Sequence, residues 1–146
     1  MSEYHPLYEV GIGTTLVLVV LFVHGFAMFT IQGIFDRLWL RVNRDSNPIL
    51  VRLFISGVVL SLIGVHYVEI LLWATTMFQV GALPDMRTAF YFAGGAYTTY
   101  GSGDLYLPSN WRLLGFMIAT SGLFTFGWTA SILIGIVNRF FGTGKS

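Results

Sequence analysis

The chain has 146 residues, of which 55% are hydrophobic and 10% charged, with a mean hydropathy of +0.72 and a formal net charge of +1. Soluble domains carry about 25% charged residues, so this composition excludes a water-soluble globular domain, and the lack of any basic or acidic block gives a nucleic-acid partner no support. Cysteine is absent, which excludes disulfides, thiolate metal sites and cysteine nucleophiles.

Three stretches reach the roughly 20 apolar residues that a helix needs to cross a bilayer. The first, 11–35, carries a single ionisable residue, His24. No Lys or Arg precedes it, and it exceeds the roughly 7–15 residues of a signal-peptide core. It therefore reads as a retained span behind an external tail, 1–10. The second stretch, 53–80, contains His66 and Glu69. The third, centred on Leu113 to Val137 within an expected helix over 111–139, has an uncharged middle.

Arginines orient these spans. Arg37, Arg41, Arg44 and Arg52 lie in or beside the link between the first two. The positive-inside rule puts that link in the cytoplasm and the N-terminus outside. The third span then leaves Arg139 and Lys145 inside, with Arg87 and Arg112 as an outside minority. Trp39, Trp73 and Trp111 fall near the expected interfaces, as an aromatic belt would.

The stretch between the second and third spans is different. Pro84-Asp85 reads as a helix start, with Asp85 as N-cap or first-turn acid. The mostly apolar run that follows predicts a helix over 85–98, too short to span and suited to a re-entrant segment. It leads into Thr98-Thr99-Tyr100-Gly101-Ser102-Gly103-Asp104. Non-helical backbone at membrane depth is tolerated only where protein buries it or a watery cavity lines it. A cation filter needs successive carbonyl oxygens turned one way to replace an ion's water, and alternating glycines permit the positive-φ backbone that does so. Thr99 adds a hydroxyl as the innermost ligand. The short helix would aim its partly negative C-terminal end at the ion. By spacing alone, a glycine-rich re-entrant turn without conduction remains the alternative.

Thr98-Thr99-x-Gly101-x-Gly103-Asp104, followed by Leu105-Tyr106 and Pro108, resembles the signature of the potassium-channel superfamily, commonly TTVGYGD-x-x-P. Trp111-Arg112-Leu113-Leu114, then Gly122 and Phe126-Gly127, resembles the inner helix of simple bacterial members. With His66-x-x-Glu69 and Trp73-Ala74 upstream, the layout is similar to small bacterial ion-channel proteins carrying an extra N-terminal span. The strong part covers 98–127. The resemblance implies an all-α membrane protein with three transmembrane helices, a re-entrant pore helix and a selectivity-filter loop, assembled as a homotetramer. The first span would be peripheral and 36–146 would form the pore domain, with outer helix 53–80, pore helix 85–98, filter 99–103 and inner helix 111–139. Potassium or another monovalent cation would bind at Thr99, Tyr100, Gly101 and Ser102, with Gly103 closing the strip. Thr98 would support it, and Asp104 would brace the outer mouth. Two positions depart from the signature. Tyr100 stands where Val is usual and Ser102 where an aromatic is usual, so the brace behind the strip changes, and the implied potassium preference is weak. Phe90, Tyr91 and Phe92 are candidates to pack against Tyr100.

His66 and Glu69 share a helix face at i, i+3. Intramembrane ionisable groups are costly and often functional. Together with His24 they could serve a metal or proton site, or else staple the second span to the pore helix or the first span. Two such residues on one helix fall short of a metal shell of about four ligands, which favours the staple. Gly122 is a candidate gating hinge or a close-packing site alongside Ser121 and Gly127. Gly57, Ser61 and Gly64 form a small-residue stripe that reads as packing. The expected function is a passive cation channel that is not an enzyme, needs no cofactor beyond cations in the filter, and has copies of itself and membrane lipids as partners. The alternatives are a membrane metalloprotein or enzyme built on His24, His66 and Glu69, and a non-conducting channel-like subunit.

Overall fold

A computed structural model describes residues 6–42 and 47–142; Arg44 and Lys145 lie outside them. The chain forms helices α1 (Pro6–Val42), α2 (Pro48–Gln79), α3 (Met86–Tyr97) and α4 (Arg112–Gly142), with a single 3-10 turn at Ser109–Trp111 before α4. Three segments, Leu7–Val42, Pro48–Gln79 and Ser109–Arg139, are long and apolar enough to cross a membrane. The protein is thus an all-α, multi-pass membrane protein, as its composition predicts.

Local chemistry sets the helix ends. α1 runs past Phe35 to Val42, because nothing in Asp36–Val42 breaks a helix, and its arginines can reach polar surroundings from a helical backbone. α2 starts earlier than expected. Asn47 caps it, its side-chain oxygen accepting from Ile49 N at 3.0 Å and Leu50 N at 3.4 Å, and Pro48 fits the first turn, where its missing N–H costs nothing. α2 ends at a glycine in the left-handed region. Gly81 has φ +68, its N–H donates to Phe78 O at 3.1 Å, and Ala82 N donates to Met77 O at 2.9 Å. This paired closure satisfies carbonyls that the helix end would otherwise leave open.

α1 and α4 run parallel, with α2 antiparallel to both. At one end Glu9, buried on α1, accepts a hydrogen bond from Leu113 N at the start of α4. At the other, exposed Asp36 pairs with Arg139. A carboxylate at a helix N-terminus meets unpaired N–H groups and the positive end of the dipole, so Glu9 caps a helix more than a hundred residues away in sequence.

Two apolar clusters fill the interior. One gathers Val20, Trp73, Met77, Tyr97, Leu114 and Ile118; the other gathers Met28, Phe35, Val58, Leu62, Ile132 and Ile136. By helix register, His24, His66, Glu69, Thr125 and Thr129 lie between them. Trp73 corrects the belt expectation. It is fully buried, and its indole N–H donates to Ser121 Oγ at 3.0 Å, joining α2 to α4. Trp111 is also buried, while Trp39 stacks on Phe35 and Phe54. Gly57, Ser61 and Gly64 are exposed, and nothing lies within 4 Å of a Cβ placed at either glycine. Within one chain this face packs against nothing. Large apolar side chains, among them Phe22, Phe29, Phe116 and Phe124, are more than 60% exposed, a surface that water would not tolerate at this scale.

Candidate ion-conducting strip and the polar cluster behind it

α3 is the short helix that delivers the strip. Asp85 caps its start, accepting from Thr88 N at 2.9 Å and from the Thr88 hydroxyl at 2.7 Å. These bonds, the backbone one foremost, hold the Asp85 carboxyl below the usual carboxylate range. At the other end Thr98 is the C-cap, and its hydroxyl donates to Gly94 O at 2.7 Å.

Beyond the cap, Thr99, Gly101 and Gly103 have φ of 57°, 92° and 64°. Positive φ thus recurs at every second residue of the strip, which for Thr99 is an uncommon conformation. Thr98, Thr99, Tyr100, Gly101, Gly103 and Asp104 are exposed, and Tyr100 reaches 82%. Asp104 has no side-chain hydrogen bond among the described residues, so within one chain it braces nothing.

Backbone contacts seat the middle of the strip. Gly101 N donates to Gly95 O at 3.0 Å, and the Gly101 oxygen would lie 2.5 Å from a Cβ at Gly95. That carbonyl therefore rests against α3. Ser102 O accepts from Leu105 N at 3.1 Å, while the Ser102 hydroxyl donates to Leu105 O at 2.8 Å. In the single chain the Ser102 carbonyl is therefore taken up by the chain's own backbone, and the Gly101 carbonyl lies close to Gly95. The Ser102–Leu105 bonds close a tight turn at the outer end of the strip.

Tyr100 shares a groove of about 600 Å³ with Phe90, Tyr91, His66 and Phe126. Phe92 points elsewhere, packing against the α4 backbone at Gly115. At Gly122 the α4 backbone comes close to the end of α3: a Cβ there would lie 2.9 Å from the Tyr97 carbonyl carbon and nearer still to its oxygen. The geometry gives Gly122 a packing role, and α4 continues unbroken through it.

Tyr97, the last residue of α3, is fully buried, and sequence reasoning missed it. Its hydroxyl donates to Glu69 Oε2, lies 2.9 Å from His66 Nδ1, and is hydrogen-bonded to the Thr125 hydroxyl. Glu69 Oε1 meets His24 Nδ1 at 2.8 Å. The outer nitrogens of both imidazoles converge on Thr129 Oγ1, at 3.1 Å from His66 and 3.4 Å from His24. Phe126 stacks on His66 with centroids 4.3 Å apart. One network thereby joins all four helices. Glu69 links α2 both to α1 and to the end of α3.

The ligating atoms of His24, His66 and Glu69 lie within 4.8 Å of one another. Zinc ligands at about 2.0–2.2 Å from the ion would sit roughly 3.3 Å apart, wider than the 2.8 Å between His24 and Glu69. No buried side-chain nitrogen or oxygen among the described residues lacks a hydrogen-bond partner. The arrangement is that of a hydrogen-bonded network.

A short capped half-helix, a glycine strip with alternating handedness and two long helices around them define a channel pore unit. The family model described as "Ion channel" matches residues 49–139, well over half of the chain, and the chain belongs to that family. The match takes in α2, α3, the strip and most of α4, as the resemblance to the potassium-channel superfamily implies; α1 lies outside it. No curated protein and no solved structure is significantly similar to the chain.

Proposed function

We infer that the chain is the subunit of a passive cation channel in which four copies surround one axis and the strip Thr99–Gly103 lines the narrowest part. The observation that carries this reading is the exposed strip itself. Its handedness alternates at Thr99, Gly101 and Gly103, and it follows the C-terminal end of a half-helix. Ions would shed water there, bind in single file and leave by mutual repulsion. One chain holds one strip and cannot enclose a pore, and closed rotational symmetry supplies the remainder. Glycines at 101 and 103 leave the strip free to turn its carbonyls toward the axis on assembly.

In this reading Asp104 adds negative potential at the outer mouth. The parallel course of α1 and α4 fits an external N-terminus, with Arg37, Arg41 and Arg139 on the cytoplasmic side. Potassium preference is weak, because Ser102 supplies no aromatic brace.

The test is a bilayer recording of the purified chain with potassium on one side and sodium on the other, alongside its mass in mild detergent and in lipid. Cation current with little anion current, from a species of four chains, is expected. A stable monomer or dimer with no larger form in lipid would sink the tetramer, and the absence of cation flux would sink the channel.

A further inference from the structure

The polar cluster holds one hydrogen-bond contact more than it has protons to fill. Five contacts tie it together: His24 Nδ1 to Glu69, Tyr97 to Glu69, His66 Nδ1 to Tyr97, and Thr129 to the Nε2 of each histidine. With Glu69 ionised and both imidazoles neutral, His24, His66, Tyr97 and Thr129 each bring one proton, about four in all. His24 and Tyr97 spend theirs on the carboxylate. If His66 donates to Tyr97, Thr129 has a single proton for two imidazole nitrogens. Thr125 is not part of this shortage, because its hydroxyl can also donate to the helix carbonyls of Ser121 and Gly122 at 3.1 Å.

The same assignment leaves a charge to account for. The cluster so counted carries a net −1, between two apolar clusters, on helices that cross a membrane. A lone buried charge there is costly. One added proton removes both defects. It enters whichever Nε2···Oγ1 contact lacks one, turns one imidazole into imidazolium, and brings the net charge to zero against Glu69. The Thr129 hydroxyl, rotating, lets either histidine hold it.

No other charged group on these helices is placed to neutralise Glu69. At 1.5 Å per residue, Glu9 and Asp36 are roughly 22 and 18 Å from His24 along α1, and Arg52, Arg112 and Arg139 lie about 15–21 Å along their helices from the cluster residues they flank. Arg37 and Arg41 are farther along α1 than roughly 19 Å. On the open side, Arg87 and the phenols Tyr67, Tyr91 and Tyr100 line the groove that reaches His66. That groove connects the cluster with the strip.

We propose that the His24–His66–Glu69–Tyr97–Thr129 cluster is a binding site for one proton, and that its occupancy sets how firmly Tyr97, and through it the strip, is held. Without the proton, the shortage can migrate to the His66–Tyr97 contact and loosen the end of α3. Loss of the proton as pH rises therefore lowers flux, and the loaded-to-empty ratio changes about tenfold per pH unit. Proton binding stands without the channel reading; the effect on flux rests on it.

Nitrogen-15 NMR of histidine-labelled full chain in lipid bilayers, from about pH 5 to 9, spans the range in which imidazoles usually titrate. His5 is assigned and set aside with a His5→Gln variant. One proton per chain should leave the His24/His66 pair as pH rises, and cation efflux from liposomes should fall with the same midpoint. Glu69→Gln should abolish that titration and flatten the pH profile. Thr129→Val, which changes no charge, should shift the midpoint, and it serves if Glu69→Gln does not assemble. Imidazoles that do not change across the range, or a midpoint that both variants leave in place, overturn the proposal. So does one tightly held zinc per chain by elemental analysis, since a metal would then fill the site. A wild type without flux whose imidazoles still titrate would overturn the channel reading and the regulatory half while leaving the proton site.

Discussion

The Glu69 carboxylate accepts the hydroxyl proton of Tyr97, so a buried acid in the middle of α2 holds the last helical residue before the glycine strip. Tyr97→Phe removes that donor and the contacts to His66 and Thr125 while keeping the ring volume. A buried polar group left without its partner costs about 1–3 kcal/mol. The variant should unfold at a clearly lower temperature in detergent. An unchanged melting temperature would show that the hydroxyl carries no structural weight.

Gly122 and Gly127 should separate packing from hinging. A Cβ at Gly122 runs into the Tyr97 carbonyl, whereas nothing lies within 4 Å of one at Gly127. Gly122→Ala should therefore destabilise by about 1–3 kcal/mol through overpacking, and Gly127→Ala should be close to neutral in the single chain. The check is thermal unfolding of both variants side by side. Full stability of Gly122→Ala, with only its gating altered, would restore the hinge reading.

Asp85 gives the start of α3 a pH dependence of defined sign. Its carboxyl lies below the ordinary value of 3.8 because Thr88 bonds to the charged form. The cap therefore contributes fully above that ordinary value, and its contribution is lost as pH falls through the lower folded value. The protection of the Thr88 and Ala89 amides, taken relative to intrinsic exchange at each pH, should fall in strong acid and hold at neutral pH. Asp85→Asn, which keeps a capping oxygen, should remove the acid sensitivity, and a wild-type profile in that variant would refute the assignment.

Selectivity should respond to positions 100 and 102 as a pair. Ser102 now folds onto Leu105, and Tyr100 stands exposed beside Phe90 and Tyr91. The double change Tyr100→Val with Ser102→Tyr exchanges an outward bulk for a brace one step along. The reversal potential between potassium and sodium should move toward potassium in the double variant. Ser102→Tyr alone should gain less, since it breaks the serine turn while Tyr100 keeps its place. Strong exclusion of sodium by the wild type would show that the strip is braced by other means.

Local features of the chain were enough to place three spans, a short capped helix and the glycine strip. Span length, charge sparsity, the Asp85 cap and the alternation of Gly101 and Gly103 all act within a few residues, where composition and periodicity report directly. Asn47-Pro48 and the glycine at position 81 are equally local signals for the ends of α2, which hydropathy alone does not report. The polar cluster is of another kind. His66 and Glu69 announce themselves by charge, but Tyr97 reads as one more aromatic in an apolar helix, and Thr125 and Thr129 read as ordinary small residues of a span. Their roles depend on partners 28 to 105 residues away, and that of Glu9 on one 104 away. Trp73 likewise sits at a sequence position that suits a belt, yet Ser121 draws its indole inward. Which side chains meet is decided by the parallel packing of α1 on α4 and the wedge of α3 between α2 and α4. Helix periodicity gives each residue a face, and only the packed bundle decides what that face touches.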